Sequence, residues 1–386
     1  MTAVGPRLLF LVTEDWYFHS HRLGLACAAR AAGYEILVGT RCTDHGDIIA
    51  AHGMRPCPIP FARALLRPWA DWRAWRAIRA LIRREQPDVI QLIALKPILL
   101  GGLALGARSR IPVVLAFTGL GYIFSSSDSL ARGMRPLVAL LLRYIARRPA
   151  TWVLTQNADD AALLRELGVG TPPRSRTIAG AGIDTEAFSP SPEPAGVPPL
   201  VLLPARLLRD KGVHEFVAAA RRLRARGVAV RCVLVGARDA DNPAAVSATQ
   251  IEAWQREGVI EWWGQRSDMP AVYAQANLVC LPSYREGLPK VLLEAAACAR
   301  ALIASDVPGC REICRHEVSG LLVPARDPQA LAAAIARLLD DATLRDRLAR
   351  QARQLAEQEF ALEHIAAATL ALYADMRAAA AVREVF

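Results

Sequence analysis

Short apolar runs alternate with longer amphipathic segments along most of the chain. The short runs are typical of buried strands, and the segments between them have the spacing of helices that bury one face. The predicted strands are Leu8–Val12, Glu35–Gly39, Val89–Leu95, Pro112–Phe117 and Trp152–Thr155, then Leu200–Leu203, Arg231–Val235, Ile260–Trp262, Leu278–Leu281, Ala301–Ala304 and Gly320–Val323. Repeated βα units of this kind predict an α/β protein with parallel, doubly wound sheets.

The Pro-rich stretch Ser189–Pro199 interrupts this rhythm and has the composition of a linker. A chain of 386 residues is long enough for two domains with separate cores. We therefore expect one Rossmann-like domain over residues 1–190 and a second over 198–365, with a C-terminal helix over 366–386 that crosses back to the first. Ligands of such domains bind at the carboxyl ends of the strands, so the site is expected in a cleft that the two domains face.

The segment Ser283–Ala299 reads SYREGLPKVLLEAAACA and carries the most chemistry. Glu286 and Glu294 flank a Gly-Leu-Pro turn, and Pro289 suits the first position of a helix predicted over 289–299. The free amides of that helix end favour a phosphate, and both carboxylates suit sugar hydroxyls. The alternative is an ordinary surface helix with an i, i+4 pair between Lys290 and Glu294.

Lysine is rare in this chain: of 47 Lys+Arg, only Lys96, Lys211 and Lys290 are lysines. A lysine kept among so many arginines indicates a site that needs a compact charge. Lys211 and Arg206 lie in PARLLRDKG, directly after the predicted strand Leu200–Leu203. Two cations at a strand-to-helix turn can hold a diphosphate leaving group, although they can also be ordinary loop cations. Both this turn and the Glu286 turn follow strands of one sheet, so we expect them to converge.

Three further segments are candidates for binding. In GAGID, Gly182 is expected in a positive-φ turn or a plain hinge. Gly264-Gln265-Arg266 follows a predicted strand and can present backbone groups to a nucleobase, or form a simple turn. The His19-Ser20-His21-Arg22 cluster follows the first strand, between it and the first helix, and substrate contact is favoured over metal binding because no carboxylate stands at ligand spacing.

Other motifs are missing from the sequence. No GxGxxG follows the first strand, and there is no P-loop or GxSxG, which counts against nicotinamide, flavin and serine-hydrolase chemistry. No cofactor and no metal site are predicted. The eight cysteines lack zinc-site spacing and fit a reducing cytoplasm. The apolar stretch Val89–Ala107 is long enough to mimic a membrane span, but Lys96-Pro97 divides it into a strand and a helix.

The net charge of +10 and pI near 9.5 indicate an anionic partner. Nucleic acid is not favoured because nucleic-acid-binding motifs are missing from the sequence. Pro68–Glu85, drawn as a helix, gathers Trp72, Trp75, Ile78 and Ile82 on one arc, with Arg73, Arg76, Arg83 and Arg84 beside it. Leu130–Arg148 is a second basic, apolar helix. Both predict peripheral binding to an anionic membrane surface, although Pro68–Glu85 can also pack its aromatic face on the sheet.

Taken together, ARLLRDKG, GAGIDTEAF, GQRSDMPAVYAQANLVCLPS, REGLPKVLLEAAACARALIASDVPGCREI and SGLLVPARD resemble the family-4 retaining glycosyltransferases of the two-domain GT-B fold. HSHRLGLA, LIALKPILLGG and FTGLGYIF resemble the bacterial subgroup that extends undecaprenyl-diphosphate-linked sugars. Many members carry His-Gly where this chain has Thr118-Gly119, which puts any role of that histidine in doubt.

The resemblance implies a UDP-sugar donor, a polyprenyl-diphosphate-linked saccharide acceptor and a metal-independent reaction at the cytoplasmic face of the membrane. Implied donor-binding residues are Arg206, Lys211, Gln265, Arg266, Glu286, Gly287, Leu288, Lys290 and Glu294, with Arg206, Lys211 and Glu286 catalytic. Arg206 and Lys211 would hold the diphosphate, Glu286 would contact the donor sugar and Glu294 the ribose. Implied acceptor-binding residues are His19, Arg22, Lys96, Thr118 and Gly119. The transferred sugar is expected to be a hexose or N-acetylhexosamine, by the example of α-1,3-N-acetylgalactosaminyltransferases. The alternatives are a nonhydrolysing UDP-sugar epimerase and a non-catalytic nucleotide-sugar-binding protein.

Overall fold

A computed structural model describes residues 5–62, 67–106, 109–119, 124, 129–195, 198–239, 242 and 244–382. The chain divides into two compact units, the first comprising Met1–Ala181 with Leu362–Phe386 and the second Gly182–Ala361. Gly182 has a φ of 76°, so the first residue of the second unit occupies the positive-φ turn predicted in GAGID.

The described part of the first unit contains a seven-stranded sheet in which every neighbouring pair is parallel. Its strands are β1 (Arg7–Glu14), β2 (Glu35–Arg41), β3 (Arg55–Pro58), β4 (Val89–Ile93), β5 (Val113–Ala116), β6 (Thr151–Thr155) and β7 (Ser175–Thr177), in the order β3-β2-β1-β4-β5-β6-β7. The central strands are apolar at nearly every position because helices cover both faces of the sheet.

The helices of this part of the chain are α1 (Asp15–His21), α2 (Leu23–Ala31), α3 (Gly46–Ala51), α4 (Pro68–Glu85), α5 (Leu95–Leu105), α6 (Ser129–Ala146) and α7 (Ala158–Glu166). One core cluster joins α4, α5 and α6 to one face of the sheet, through residues such as Ile78, Ile98 and Leu142. A second cluster on the other face holds Phe18 and Leu25 of α1 and α2.

The described part of the second unit contains a six-stranded parallel sheet. Its strands are β8 (Leu200–Pro204), β9 (Arg231–Val235), β10 (Glu261–Trp262), β11 (Leu278–Leu281), β12 (Ala301–Ser305) and β13 (Gly320–Val323), in the order β10-β9-β8-β11-β12-β13. Its helices are α8 (Val213–Ala225), α9 (Ala248–Arg256), α10 (Met269–Ala274), α11 (Lys290–Ala297), α12 (Cys310–Ile313), α13 (Pro328–Asp340) and α14 (Ala342–Glu359), and Arg209–Lys211 forms a 3₁₀ turn before α8.

The last helix, α15 (Leu362–Val382), belongs to the first unit. It packs against α2, and the hydroxyl of its buried Tyr373 donates a hydrogen bond to Gln91 of β4. The Pro-rich stretch that the sequence indicated as a linker belongs to the second unit, and its described residues hydrogen-bond to the rest of that unit. There, buried Arg300 donates a hydrogen bond to the Ser191 carbonyl at 2.9 Å, and Asn277 donates one to Glu193 at 2.7 Å.

In each sheet, successive strands are first added on one side of the first strand and then on its other side, so the direction of the strand order reverses once. In the first unit the reversal lies between β1 and β4, and in the second between β8 and β11. The helices that follow the two strands at such a point lie on opposite faces of the sheet, which opens a crevice at the carboxyl ends of those strands. The loops after β1, β4, β8 and β11 are therefore the places where each unit can bind a ligand.

Within the interrupted apolar stretch, the described residues 89–106 form a strand followed by a helix, as predicted, although the strand ends at Ile93 and α5 already begins at Leu95. Among the described residues, no helix combines the length and the apolar character that a membrane span requires. The helix predicted near Arg22–Ala32 is confirmed as α2, which spans Leu23–Ala31. The residues before it were expected to form no helix, but they form the separate helix α1.

Candidate active site

Two loops converge at the reversal point of the second unit. One follows β8 and carries Lys211, and the other follows the neighbouring strand β11 and carries Glu286. The Nζ of Lys211 lies 2.6 Å from Oε1 of Glu286, and the two side chains are only 19% and 12% exposed. The expected meeting of these two turns is therefore present as a direct ion pair.

The two side chains of this ion pair keep hydrogen-bonding capacity that a ligand can use. Ser283 Oγ donates a hydrogen bond of 2.7 Å to the same Oε1 of Glu286. Among the described residues no donor contacts Oε2, and Lys211 makes no second side-chain bond. The ammonium group can therefore donate to an anion, and the free carboxylate oxygen can accept from a hydroxyl.

Gly212 explains how closely the two loops approach. Its φ is 72°, in the left-handed region, and a Cβ built on it would lie 2.1 Å from the carbonyl oxygen of Pro282. A side chain at position 212 would therefore push the Lys211 turn away from the end of β11. The close approach is a property of both backbones.

Helix α11 starts directly beside the ion pair. It begins at Lys290, and Pro289 precedes it with extended backbone (φ −75°, ψ 112°), so the prediction that Pro289 is the first helical residue was wrong. The helix also ends earlier than predicted, at Ala297. Gly287 is buried in the preceding turn, and Leu288 is partly exposed. The N-terminal end of α11 lies four residues after Glu286, and its helix dipole adds positive potential to that loop.

Glu294 lies inside α11 and is buried. Its Oε2 accepts a 2.9 Å hydrogen bond from the Tyr273 hydroxyl, and its Oε1 lies 3.3 Å from Nζ of Lys290. Burial raises the pKa of Glu294, while Lys290 and Tyr273 oppose that shift. The i, i+4 pair that the sequence allowed is thus present, and it holds a buried carboxylate one turn from the start of the helix.

The other predicted donor residues lie at neighbouring strand ends. Arg206 follows β8, and its Nη1 lies 3.2 Å from Oδ2 of Asp239. It therefore pairs with a different carboxylate from Glu286, the partner of Lys211. Gln265 and Arg266 follow β10 and are exposed, with Arg266 paired to Asp268. The second unit therefore brings Lys211 and Glu286 together next to α11, while Arg206 at the end of the same strand β8 pairs with Asp239.

The predicted acceptor residues of the first unit follow three adjacent strands. His19 and Arg22 come after β1, Lys96 after β4, and Thr118 and Gly119 after β5. They therefore share the carboxyl edge of one sheet. The histidines lie on helix α1 instead of in a loop, because Asp15 starts that helix directly after the strand. The remainder of the predicted glycine turn, residues 120–123, lies outside the described residues.

Two of these residues are held by their own unit. Lys96 Nζ lies 2.7 Å from Asp71 Oδ1 and donates a 2.8 Å hydrogen bond to the Ala62 carbonyl. Arg22 is only 3% exposed and forms no ion pair among the described residues. Burial raises the pKa of the Tyr373 hydroxyl, and the positive charge of Arg22 opposes that rise. Lys96 is thus engaged, and Arg22 is largely enclosed.

The sequence reasoning missed Asp15 and His45. Buried Asp15 accepts hydrogen bonds from Thr43 Oγ1 at 2.7 Å and from the His45 amide at 3.2 Å, which fixes the loop after β2. The His45 ring lies 5.1 Å from that of His19, and its buried Nδ1 has no hydrogen-bond partner in the described part of the chain. The position of His45 could have been predicted, because it follows the predicted strand Glu35–Gly39 and so lies at the same carboxyl edge of the sheet as His19.

Among the described residues, no group of three or more His, Cys, Asp or Glu side chains is arranged to hold a metal ion. Each unit is thus a doubly wound parallel sheet with polar residues at its reversal point, the place where such folds bind ligands. This two-sheet organisation is compatible with the GT-B fold that the sequence resembles.

Comparison with known proteins agrees with that class. The model of the Glycosyl transferase 4-like domain matches residues 19–180, and the model of Glycosyl transferases group 1 matches residues 184–355. The chain is 30% identical, over 91% of its length and 94% of the relative's, to the N,N'-diacetylbacillosaminyl-diphospho-undecaprenol alpha-1,3-N-acetylgalactosaminyltransferase of Campylobacter jejuni. The chain belongs to family 4 of the glycosyltransferases and is a glycosyltransferase.

Solved structures share the fold. Sucrose-phosphate synthase from Thermosynechococcus elongatus superimposes with a TM-score of 0.81 at 23% identity, covering 97% of this chain and all of that one. HepE from Anabaena, in complex with UDP and glucose, gives a TM-score of 0.77 at 19% identity, covering 96% of this chain and all of that one. At these identities the likeness establishes the GT-B architecture.

Proposed function

We propose that this enzyme transfers a hexose or N-acetylhexosamine from a UDP-sugar to a polyprenyl-diphosphate-linked saccharide, with retention of the anomeric configuration and without a metal ion. The second unit binds the donor and the first binds the acceptor. An α-1,3-N-acetylgalactosaminyl transfer is the specific form that we favour, because the Campylobacter jejuni relative is named for that reaction on a diphospho-undecaprenol acceptor.

The observation that carries the proposal is the Lys211–Glu286 ion pair beside the start of α11. A nucleotide diphosphate needs compact positive charge and backbone amides, and a sugar needs a carboxylate acceptor close to the diphosphate. Lys211, α11 and Oε2 of Glu286 offer these groups within one pair of loops. The UDP in the complex of HepE supports a uridine donor for this fold.

The reaction follows from those charges. The bond between the anomeric carbon of the donor sugar and the β-phosphate oxygen breaks, and its electron pair leaves with the phosphate. The acceptor hydroxyl forms the new bond on the same face, and its proton goes to the departing phosphate oxygen. Lys211 and Arg206 stabilise the negative charge that develops on the diphosphate, which is the largest expected contribution to catalysis.

The test is nucleotide release by the purified protein with a panel of nucleotide sugars and polyprenyl-diphosphate-linked acceptors. We expect acceptor-dependent release of UDP and a glycosylated lipid product, with full activity in EDTA. UDP formed without an acceptor would favour the epimerase alternative, and binding without turnover would favour a non-catalytic protein. A strict requirement for a divalent cation would contradict the metal-free reaction.

We also propose that the first unit binds an anionic membrane surface at the cytoplasmic face. On α4, Ile78 and Ile82 are buried in the core, whereas Trp69 is 81% exposed and Trp72 is 47% exposed. The aromatic arc predicted from the sequence is therefore divided between the core and the surface. Its exposed part is flanked by exposed Arg73, Arg76, Arg79 and Arg83.

Helix α6 adds to that surface. Leu137, Leu140 and Tyr144 are spaced three and four residues apart, so they share one side of the helix, and each is about half exposed or more. Both α4 and α6 pack against the same core cluster, with α5 contacting each of them. Exposed aromatic and leucine side chains next to arginines are the combination that lipid headgroups and acyl chains favour.

Replacing Arg73, Arg76 and Arg83 together by Gln should weaken binding to vesicles that contain anionic lipid. Each basic residue near such a surface contributes about 1 kcal/mol, so the partition coefficient should fall by roughly a hundredfold. Vesicle sedimentation measures it. Arg84 is left unchanged because it is paired with Glu85 at 2.7 Å.

The matched control replaces Arg222, Arg226 and Arg256 of the second unit, which are exposed and make no ion pair among the described residues. This variant loses the same net charge and should bind vesicles almost as well as the wild type. Equal loss in both variants would mean that total charge, and not the α4 surface, drives binding. No loss in the first variant would exclude α4 as the membrane contact.

A further inference from the structure

Tyr284 connects the loop after β11 to the turn that carries Lys211 by hydrogen bonds. It lies in the loop after β11, two residues before Glu286, and its amide donates a 2.9 Å hydrogen bond to the carbonyl of Asp210 in the opposing turn. Its hydroxyl donates a 2.7 Å hydrogen bond to Oε1 of Glu215 on α8. One residue of the Glu286 loop is thus bonded to the residue before Lys211 and to the helix after it.

The Glu215 carboxylate depends on Tyr284 for its side-chain hydrogen bond. Oε2 of Glu215 is buried and has no hydrogen-bond partner in the described part of the chain, so the Tyr284 hydroxyl is the side-chain donor on which this carboxylate relies. A buried acceptor that loses its donor is costly, and the surrounding structure then moves to relieve it. The bond between the two loops is therefore resistant to small displacements.

The loop after β13 also contacts the aromatic ring of Tyr284. The guanidinium carbon of Arg326, in the loop after β13, lies 4.4 Å from the centre of the Tyr284 ring, a distance typical of a cation–π contact. Burial, with a smaller contribution from Glu215, raises the pKa of Tyr284 to about 12, against the effects of Arg326 and Arg209. The hydroxyl therefore stays protonated and remains a donor at neutral pH.

We propose that Glu215 and Tyr284 are positioning residues, which fix Lys211 relative to Glu286 and so fix the diphosphate of the donor relative to its sugar. This inference rests on the donor site proposed above. Lys211 and Glu286 have flexible side chains, and an ion pair between them does not by itself set the distance between their backbones. The amide bond from Tyr284 to Asp210, the close contact at Gly212 and the Tyr284–Glu215 bond together set that distance.

Tyr284→Phe should lower kcat about tenfold to a hundredfold, because a displacement of about 1 Å at a reacting centre costs up to that factor. The KM for the donor and the affinity for UDP should change less than threefold, since base and ribose contacts remain. Glu215→Leu should reproduce this pattern. Glu215→Gln retains an acceptor for the hydroxyl and should recover most of kcat, and Tyr284→Phe combined with Glu215→Leu should lose no more than either alone.

Unfolding temperatures of all variants, measured in parallel, separate positioning from stability. The inference is overturned if kcat of Tyr284→Phe equals that of the wild type, or if its loss disappears once the folded fraction is considered. Crystal structures of the wild type and Tyr284→Phe give a readout that does not need activity. We expect the Lys211 and Glu286 loops to separate in the variant, and unchanged loops would also overturn the inference. Failure of the wild type to release any nucleotide would instead count against the proposed function alone.

Discussion

Lys211→Ala should lower turnover by roughly two to three orders of magnitude while the protein stays folded, by analogy with the loss of one charge-stabilising group. The ammonium group lies 2.6 Å from Glu286 and beside the start of α11, where the diphosphate of the donor is proposed to bind. The diphosphate is already anionic in the donor, and further negative charge develops on it as the glycosidic bond breaks. The loss should therefore be larger in kcat than in the KM for the donor.

Two variants make this result specific. Lys211→Arg keeps the charge but replaces a compact ammonium with a planar fork, and we expect it to recover little activity, in keeping with a lysine retained among so many arginines. Arg222→Ala removes an exposed cation from the last turn of α8, at the opposite end of that helix from Lys211, and should turn over like the wild type. Unchanged turnover of Lys211→Ala would remove this residue from the mechanism.

Glu294→Ala should abolish the enzyme's discrimination between UDP and its deoxyribose analogues. Glu294 is buried and oriented by Tyr273 and Lys290, so its carboxylate is fixed before a ligand arrives. A hydrogen bond from a ribose hydroxyl to a charged acceptor contributes about 1.5–3 kcal/mol. The wild type should therefore bind 2′-deoxy-UDP or 3′-deoxy-UDP roughly ten- to a hundredfold more weakly than UDP.

Calorimetric titration of wild type and variant with all three nucleotides completes a thermodynamic cycle. In Glu294→Ala the three affinities should become equal within about threefold, close to that of the weaker analogue. Glu294→Gln keeps the shape and an acceptor and should retain part of the discrimination. If Glu294→Ala loses affinity equally for all three nucleotides, the carboxylate acts on the fold of α11 and not on the ribose.

Most of the sheet framework could be predicted because buried parallel strands leave an apolar signature. Leu200–Leu203, Arg231–Val235 and Leu278–Leu281 are each observed within one residue of their predicted bounds. The edge strands β3 and β7 were missed, since β3 contains two prolines and β7 reads Ser-Arg-Thr. Edge strands tolerate proline and polar residues, so periodicity alone does not reveal them.

The convergence of Lys211 and Glu286 was predictable for a topological reason. Both follow strands of one parallel sheet, and the carboxyl ends of such strands meet at one edge. The partners of these residues were not predictable. Tyr284 meets Glu215 across 69 residues, and Tyr273 meets Glu294 across 21. Arg206 pairs with Asp239 although the sequence assigned both cations to a single ligand. Such pairings depend on side-chain directions that only the packed structure fixes.

A crystal structure of the protein with UDP bound tests the central claim most directly. The account predicts diphosphate oxygens within about 3 Å of Lys211 Nζ and at the first amides of α11, with the ribose on Glu294. UDP bound elsewhere, with Lys211 still paired to Glu286 and no phosphate beside it, would contradict the account.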